Sequence, residues 1–119
     1  MTLDTFVDYC LAKPATEATT PFGPDTLVLK VAGKMFALTG LDEADFRLNL
    51  KCDPDYALEL RDRYPGAIVG GYHMNKKHWN TLYVEEYALP DRLVRELIDH
   101  SYELVVSSLT KKIRAAEGL

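Results

Sequence analysis

Leu3, Phe6, Val7, Cys10 and Leu11 recur at helical spacing, with Asp4, Asp8 and Lys13 off that face. This pattern predicts an amphipathic first helix. Pro14 disfavours helical geometry in the residue before it, so the helix is expected to end near Lys13. Residues 14–25, PATEATTPFGPD, hold three prolines and a glycine and read as an irregular connection. Three strands are predicted next, in TLVLKV, KMFALT and DFRLNLK. Ala32-Gly33 joins the first two, short enough for a hairpin with glycine supplying a positive φ. The third alternates, with Phe46, Leu48 and Leu50 on one face and Arg47, Asn49 and Lys51 on the other.

A second helix starts at Asp53-Pro54, where the carboxylate caps free N–H groups and proline suits the first helical position. It turns Ala57, Leu60 and Tyr64 inward and stops before Pro65-Gly66. A short strand around AIVGG and a longer one in WNTLYV follow. The last long helix opens at Pro90-Asp91 and buries Leu93, Val94, Leu97, Ile98, Val105 and Leu109. Asp91 near its start and Lys111, Lys112 and Arg114 near its end suit the helix dipole. Two groups of strands separated by a helix, with helices at both ends, give an α+β two-layer sandwich. The expected sheet is antiparallel with helices on one face, because Phe46, Leu48 and Leu50 ask for one buried face only. Residues 1–119 read as one domain.

Composition narrows the function. The chain has 119 residues and a net charge of −4, which excludes a whole-molecule basic field of the kind that drives strong sequence-independent DNA binding. Residues 1–69 hold 11 acidic and 7 basic side chains, and residues 70–119 hold 7 of each, so any basic surface is local. Cys10 and Cys52 form no CxxC pair and read as buried reduced thiols. There is no signal-like leader and no membrane-length apolar run, so a cytoplasmic protein acting as monomer or homodimer, away from membranes, is expected.

Chemistry concentrates in GGYHMNKKHWNTLYV, residues 70–84. His73 and His78 lack the third and fourth ligands that zinc prefers, Glu85 and Glu86 being the nearest carboxylates, and two lysines between them repel a cation. No metal and no cofactor are expected, and both histidines are expected to make structural hydrogen bonds at a turn. Catalysis lacks a nucleophile motif or a paired-carboxylate pattern, so no enzyme is expected. Nucleic-acid contact has more behind it: Lys76, Lys77 and His78 present donors beside Trp79, which can stack on a base. His73, Asn75, Arg47 and Lys51 join this candidate surface, with Lys30 and the Lys111–Arg114 tail as helpers. The competing reading is an elaborate turn with a core tryptophan and solvated lysines. Exposure of Trp79 discriminates between them, and a protein-interaction or small-molecule-binding module is the alternative function.

GYHMNKKHWNTLYV, followed by LPDRLVRELIDHSYELVVSSLTKK, resembles the MmcQ/YjbR family of small bacterial proteins. PFGPDTLVLKVAGKMFAL and NLKCDPDYALELRDRYP fit the same family, so the resemblance spans nearly the whole chain. His73, Asn75, Lys76, His78, Trp79, Thr81 and Tyr83 occupy its signature, and Pro21, Phe22 and Gly23 match its PFG. The resemblance implies a CyaY-like, frataxin-like α+β fold and weak or accessory DNA binding through a double-wing surface. Thr110 stands where the family pattern leads one to expect proline, which predicts a softer break before the basic tail. Frataxins bind iron on an acidic ridge; here the first helix offers only Asp4 and Asp8, too few to extend that function.

Overall fold

The computed structural model describes residues 1–119. Helix α1 spans Leu3–Leu11, with Thr2 and Thr5 exchanging side-chain and backbone bonds as a capping box. Four strands follow: β1 Thr16–Thr19, β2 Thr26–Val31, β3 Lys34–Gly40 and β4 Leu48–Lys51. After helix α2, Pro54–Arg63, come β5 Ile68–Gly70 and β6 Trp79–Leu82; helices α3, Asp91–Ser108, and α4, Lys111–Ala116, end the chain. All strand pairs are antiparallel, in the order β1-β2-β3-β4-β6-β5.

Three expectations are corrected. Residues 16–19, read as irregular, form edge strand β1 against β2; TEAT has no apolar alternation, and its order comes from ladder bonds and from Thr16 Oγ1 donating to Cys10 O and Lys13 O. Strand β4 begins at Leu48 rather than Asp45, because Phe46 N donates to the Glu85 side chain and Arg47 O accepts from the Thr39 hydroxyl, each in place of a backbone ladder bond. The break at Thr110 is complete rather than soft. Leu109 is extended (ψ 150°) and buried, and Thr110 Oγ1 accepts from Ile113 N to cap α4. A serine- or threonine-type cap starts a new helix without proline's steric help.

The hairpin between β2 and β3 holds both central residues in the left-handed region, Ala32 at φ 49° and Gly33 at φ 80°, as a two-residue primed turn requires. A bulge follows: Leu29 pairs with Ala37 but Lys30 with Met35, leaving Phe36 as the extra residue. Phe36 is fully buried, edge-on to Tyr102 at 5.6 Å.

One cluster of 20 buried residues joins α1, α2 and α3 to the inner sheet face. Phe6 and Cys10 enter it from α1, Ala57 and Leu60 from α2, and Val94, Leu97, Ile98 and Val105 from α3. Register defines the other face. Thr19, Val28, Leu38, Asn49, Thr81 and Val69 pair in one transverse row across all six strands, so their side chains project to the same side. Val28 and Trp79 are buried yet lie outside the main cluster. This open face bears Asn49, Lys51, Trp79 and Thr81. No helix is long and apolar enough to cross a membrane.

Candidate functional site

The connection from Gly71 to His78 folds back over the end of the open face. Gly71 N donates to Trp79 O at 2.8 Å, and Trp79 N to Asn75 O at 3.0 Å. A Cβ on Gly71 would stand 2.9 Å from Trp79 Cβ and 3.2 Å from its carbonyl oxygen, so only glycine lets the loop come this close. Asn75 Oδ1 accepts from Lys77 N, a local turn of the kind asparagine favours. From α2, Arg61 clamps the far side: Nε donates to Asn80 Oδ1 at 2.8 Å, and a terminal nitrogen reaches Lys76 O. Asn80 Nδ2 then donates to Ala57 O, tying strand, loop and helix together.

Within this frame the expected residues separate. Trp79 is only 8% exposed, so its ring supports the loop and is no stacking platform. Lys76 is turned back, its ammonium donating to Gly71 O and its stem lying against Gly70. Lys77 is exposed, but with Lys76, Arg61 and Asp55 it lines a shallow depression beside α2. Of the structural hydrogen bonds expected at the two signature histidines, those of His78 run through its backbone and neither imidazole takes part. His78 works through its backbone, accepting from Cys52 N and donating to Asn75 O, and His73 packs its ring 4.0 Å from that of Tyr72. His73 sits at φ 59°, a left-handed conformation that costs a non-glycine residue about 1 kcal/mol. No three His, Cys, Asp or Glu side chains converge as metal ligands would. Arg47 stacks over Tyr83 at 5.1 Å and pairs with Glu43 at 3.4 Å, while Lys51 stands beside Trp79 in register, without an ion-pair partner.

A different set of side chains surrounds the opening on the sheet. Phe22, from the PFG turn, and Tyr72, from the signature loop, are 69% and 66% exposed. Both line a groove of about 520 Å³, together with Met35, Leu38 and Asn49 of the sheet and with His73, Met74, Thr26, Gly40 and Glu43. Thr81 Oγ1 links the loop to the sheet: it accepts from Tyr72 N at 3.0 Å and donates to Asn49 Oδ1 at 2.6 Å. Lys30 is paired with Met35, and Lys51 is two residues from Asn49 on the same strand face. Phe22 and Tyr72 lie inside the PFG and GYHMNKKHWNTLYV segments, but only the fold reveals that both line one opening. On the other side of Gly40, a groove of about 560 Å³ shares Glu43 with this one and adds Asp45 and Glu85, a more acidic lining.

Burial pushes both thiols, Cys10 and Cys52, up to about 12, leaving them unreactive near neutrality. Tyr9 is also raised to about 12, by burial first and then by its hydrogen bond to Asp99.

The same arrangement of sequence and fold recurs in known proteins. The chain is 40% identical to protein DR2400 of Deinococcus radiodurans, a DUF419 domain whose crystal structure superposes with a TM-score of 0.93 over 99% of this chain and 88% of that one. A crystal structure of a Pseudomonas syringae protein gives a TM-score of 0.73 at 28% identity, covering 87% and 98% of the two chains. Among curated proteins, YbdF of Escherichia coli O157:H7 is 42% identical over 86% of this chain and 82% of its own. YjbR of Escherichia coli K12 is 32% identical over 96% and 95%. The sequence model of the YjbR family matches residues 11–104, so this chain belongs to the YjbR family.

Proposed function

We propose that this protein is a non-catalytic module that holds an unpaired stretch of DNA weakly across the open face of its sheet. The observation that supports it is the pair of exposed aromatic rings, Phe22 and Tyr72, lining one groove with the polar Asn49. Large exposed aromatics lose area to water unless a flat partner covers them, and a base offers such a face whatever its identity. Lys30 and Lys51 are free of ion pairs and stand on the same sheet face, within reach of a backbone that leaves the groove. Duplex DNA is the poorer fit, because its bases are stacked away from such rings and the molecule as a whole is acidic.

Fluorescence anisotropy with matched single-stranded and duplex oligonucleotides tests this reading. The single strand binds more tightly, in the weak range of roughly 10⁻⁴–10⁻⁶ M. Two or three phosphate contacts give a log–log salt slope of about −1.4 to −2.1, at about −0.7 per phosphate. Phe22→Ala and Tyr72→Ala each remove a stacking face and weaken binding by about 1–3 kcal/mol. Lys30→Ala with Lys51→Ala weakens all sequences alike and flattens the slope. No binding at low salt, or equal binding by the aromatic variants, sinks the proposal.

A second reading draws on the apolar part of the same groove. Met35, Met74 and Leu38 form a polarizable lining that also suits a partner protein's side chain. Absence of any DNA binding, with the Phe22 and Tyr72 surface still exposed, would favour it.

A further inference from the structure

The groove has a direction, and Asn49 sets it. Thr81 is 3% exposed and belongs to the transverse row, so its hydroxyl lies under the groove rather than in it. That hydroxyl accepts from Tyr72 N and stands 2.6 Å from Asn49 Oδ1. The distance is that of an O–H···O bond and is shorter than an N–H···O bond ordinarily becomes, so the hydroxyl donates and the amide carbonyl accepts. The carbonyl end of Asn49 is therefore engaged with β6. Its Nδ2 group, with two protons to donate, has no partner in the protein, and the residue lines the opening between Leu38 and Tyr72. Met35 and Leu38 beside it offer nothing with which a second donor could pair.

We infer that Asn49 is a specificity-determining residue that selects bases with a carbonyl at C4 or C6, thymine and guanine, over bases with an amino group there, cytosine and adenine. This rests on the open face being where an unpaired strand binds. A base entering the groove must leave its sugar and phosphates in solvent, so the edge that reaches Asn49 is the one remote from the glycosidic bond. On that edge a pyrimidine presents O4 in thymine but an amino group in cytosine, and a purine presents O6 in guanine but an amino group in adenine. The Nδ2 donors meet an acceptor in the first case of each pair. In the second the same position carries another donor, which leaves the opposed protons unsatisfied unless the base shifts to offer its ring nitrogen, N3 of cytosine or N1 of adenine. The bidentate pairing that asparagine makes with adenine needs Oδ1 as well as Nδ2, and here Thr81 holds Oδ1.

Anisotropy with short single-stranded homopolymers reads this out, comparing deoxyuridine with deoxycytidine and deoxyinosine with deoxyadenosine, so that each pair exchanges the carbonyl and its neighbouring ring N–H for an amino group and a bare ring nitrogen. The wild type favours the carbonyl member of each pair by about tenfold. Asn49→Ala binds all four with similar affinity, the discrimination being lost while stacking on Phe22 and Tyr72 persists. Asn49→Asp, which presents acceptors alone, binds less tightly overall but reverses the preference toward the amino bases; because it preserves shape, it also guards against a folding defect in the alanine variant. Equal wild-type affinity for all four overturns the inference and leaves the binding site standing. Binding to none of them overturns both.

Discussion

Ser101 is a polar residue buried within an apolar stripe, fully enclosed on the face of α3 that meets the sheet. Its hydroxyl donates to Phe36 O at 2.5 Å and accepts from Lys51 N at 3.0 Å. Those two backbone groups belong to β3 and β4, whose ladder pairs only Ala37 with Leu50 and Leu38 with Asn49. The serine thus completes a sheet that the Phe36 bulge has opened. Ser101→Ala removes one partner from each buried group and is expected to destabilise the protein by about 1–3 kcal/mol, far more than the small change in volume suggests. Urea unfolding should show a lower midpoint with an unchanged slope. An unshifted midpoint would mean that water or another group serves both backbone atoms.

Coupling between elements is concentrated where α2 meets the signature loop. Arg61 holds Asn80 and the Lys76 carbonyl at once, and the chain's single tryptophan lies beneath that loop. Arg61→Ala leaves loop carbonyls without their donor, so the loop should loosen and wet Trp79. A red-shifted, more readily quenched tryptophan emission in a still-folded protein is the expected result, and an unchanged spectrum would remove Arg61 from the clamp. This clamp also explains what could be read from the sequence. Helices α1, α2 and α3, the Ala32-Gly33 hairpin and the one-sided burial of β4 follow from local periodicity, capping and turn chemistry, and all were legible. Edge strand β1 was not, because Thr16–Thr19 has no alternation to betray it. At the site, the clustering of polar residues drew attention to Lys76 and Trp79, whereas the fold turns one back and buries the other. Exposure of Phe22 and Tyr72 to one groove depends on cross-strand register and loop closure, which no local pattern encodes.

At the scale of the molecule, acidification acts through the joint between the helices and the sheet. His100, on α3, accepts a hydrogen bond from Asp53 N through Nε2 at 3.1 Å, and its ring stands edge-on to Tyr56 at 5.0 Å. As an acceptor there, the imidazole must be neutral, with its proton on Nδ1. Burial holds its pKa below the ordinary 6.5, and the nearby Asp53 and Glu103 carboxylates oppose that only in part. Above 6.5 the imidazole is neutral both folded and unfolded, so it gives stability no pH dependence. Below 6.5 the unfolded chain takes up a proton that the folded one resists, and stability falls with pH until His100 is protonated in the fold as well. Asp91 acts in a separate and lower window: its hydrogen bond to the N-terminal ammonium depresses its pKa, so its contribution is lost only as pH falls below the ordinary 3.8. Thermal melts at about pH 7.5, 6.5 and 5.5 all lie above the Asp91 window and sample that of His100. The wild-type Tm should fall mainly between the last two values, and His100→Gln should flatten that fall, because its amide oxygen still accepts from Asp53 N but cannot be protonated in this range. An equally steep fall in the variant would assign the acid sensitivity to other groups.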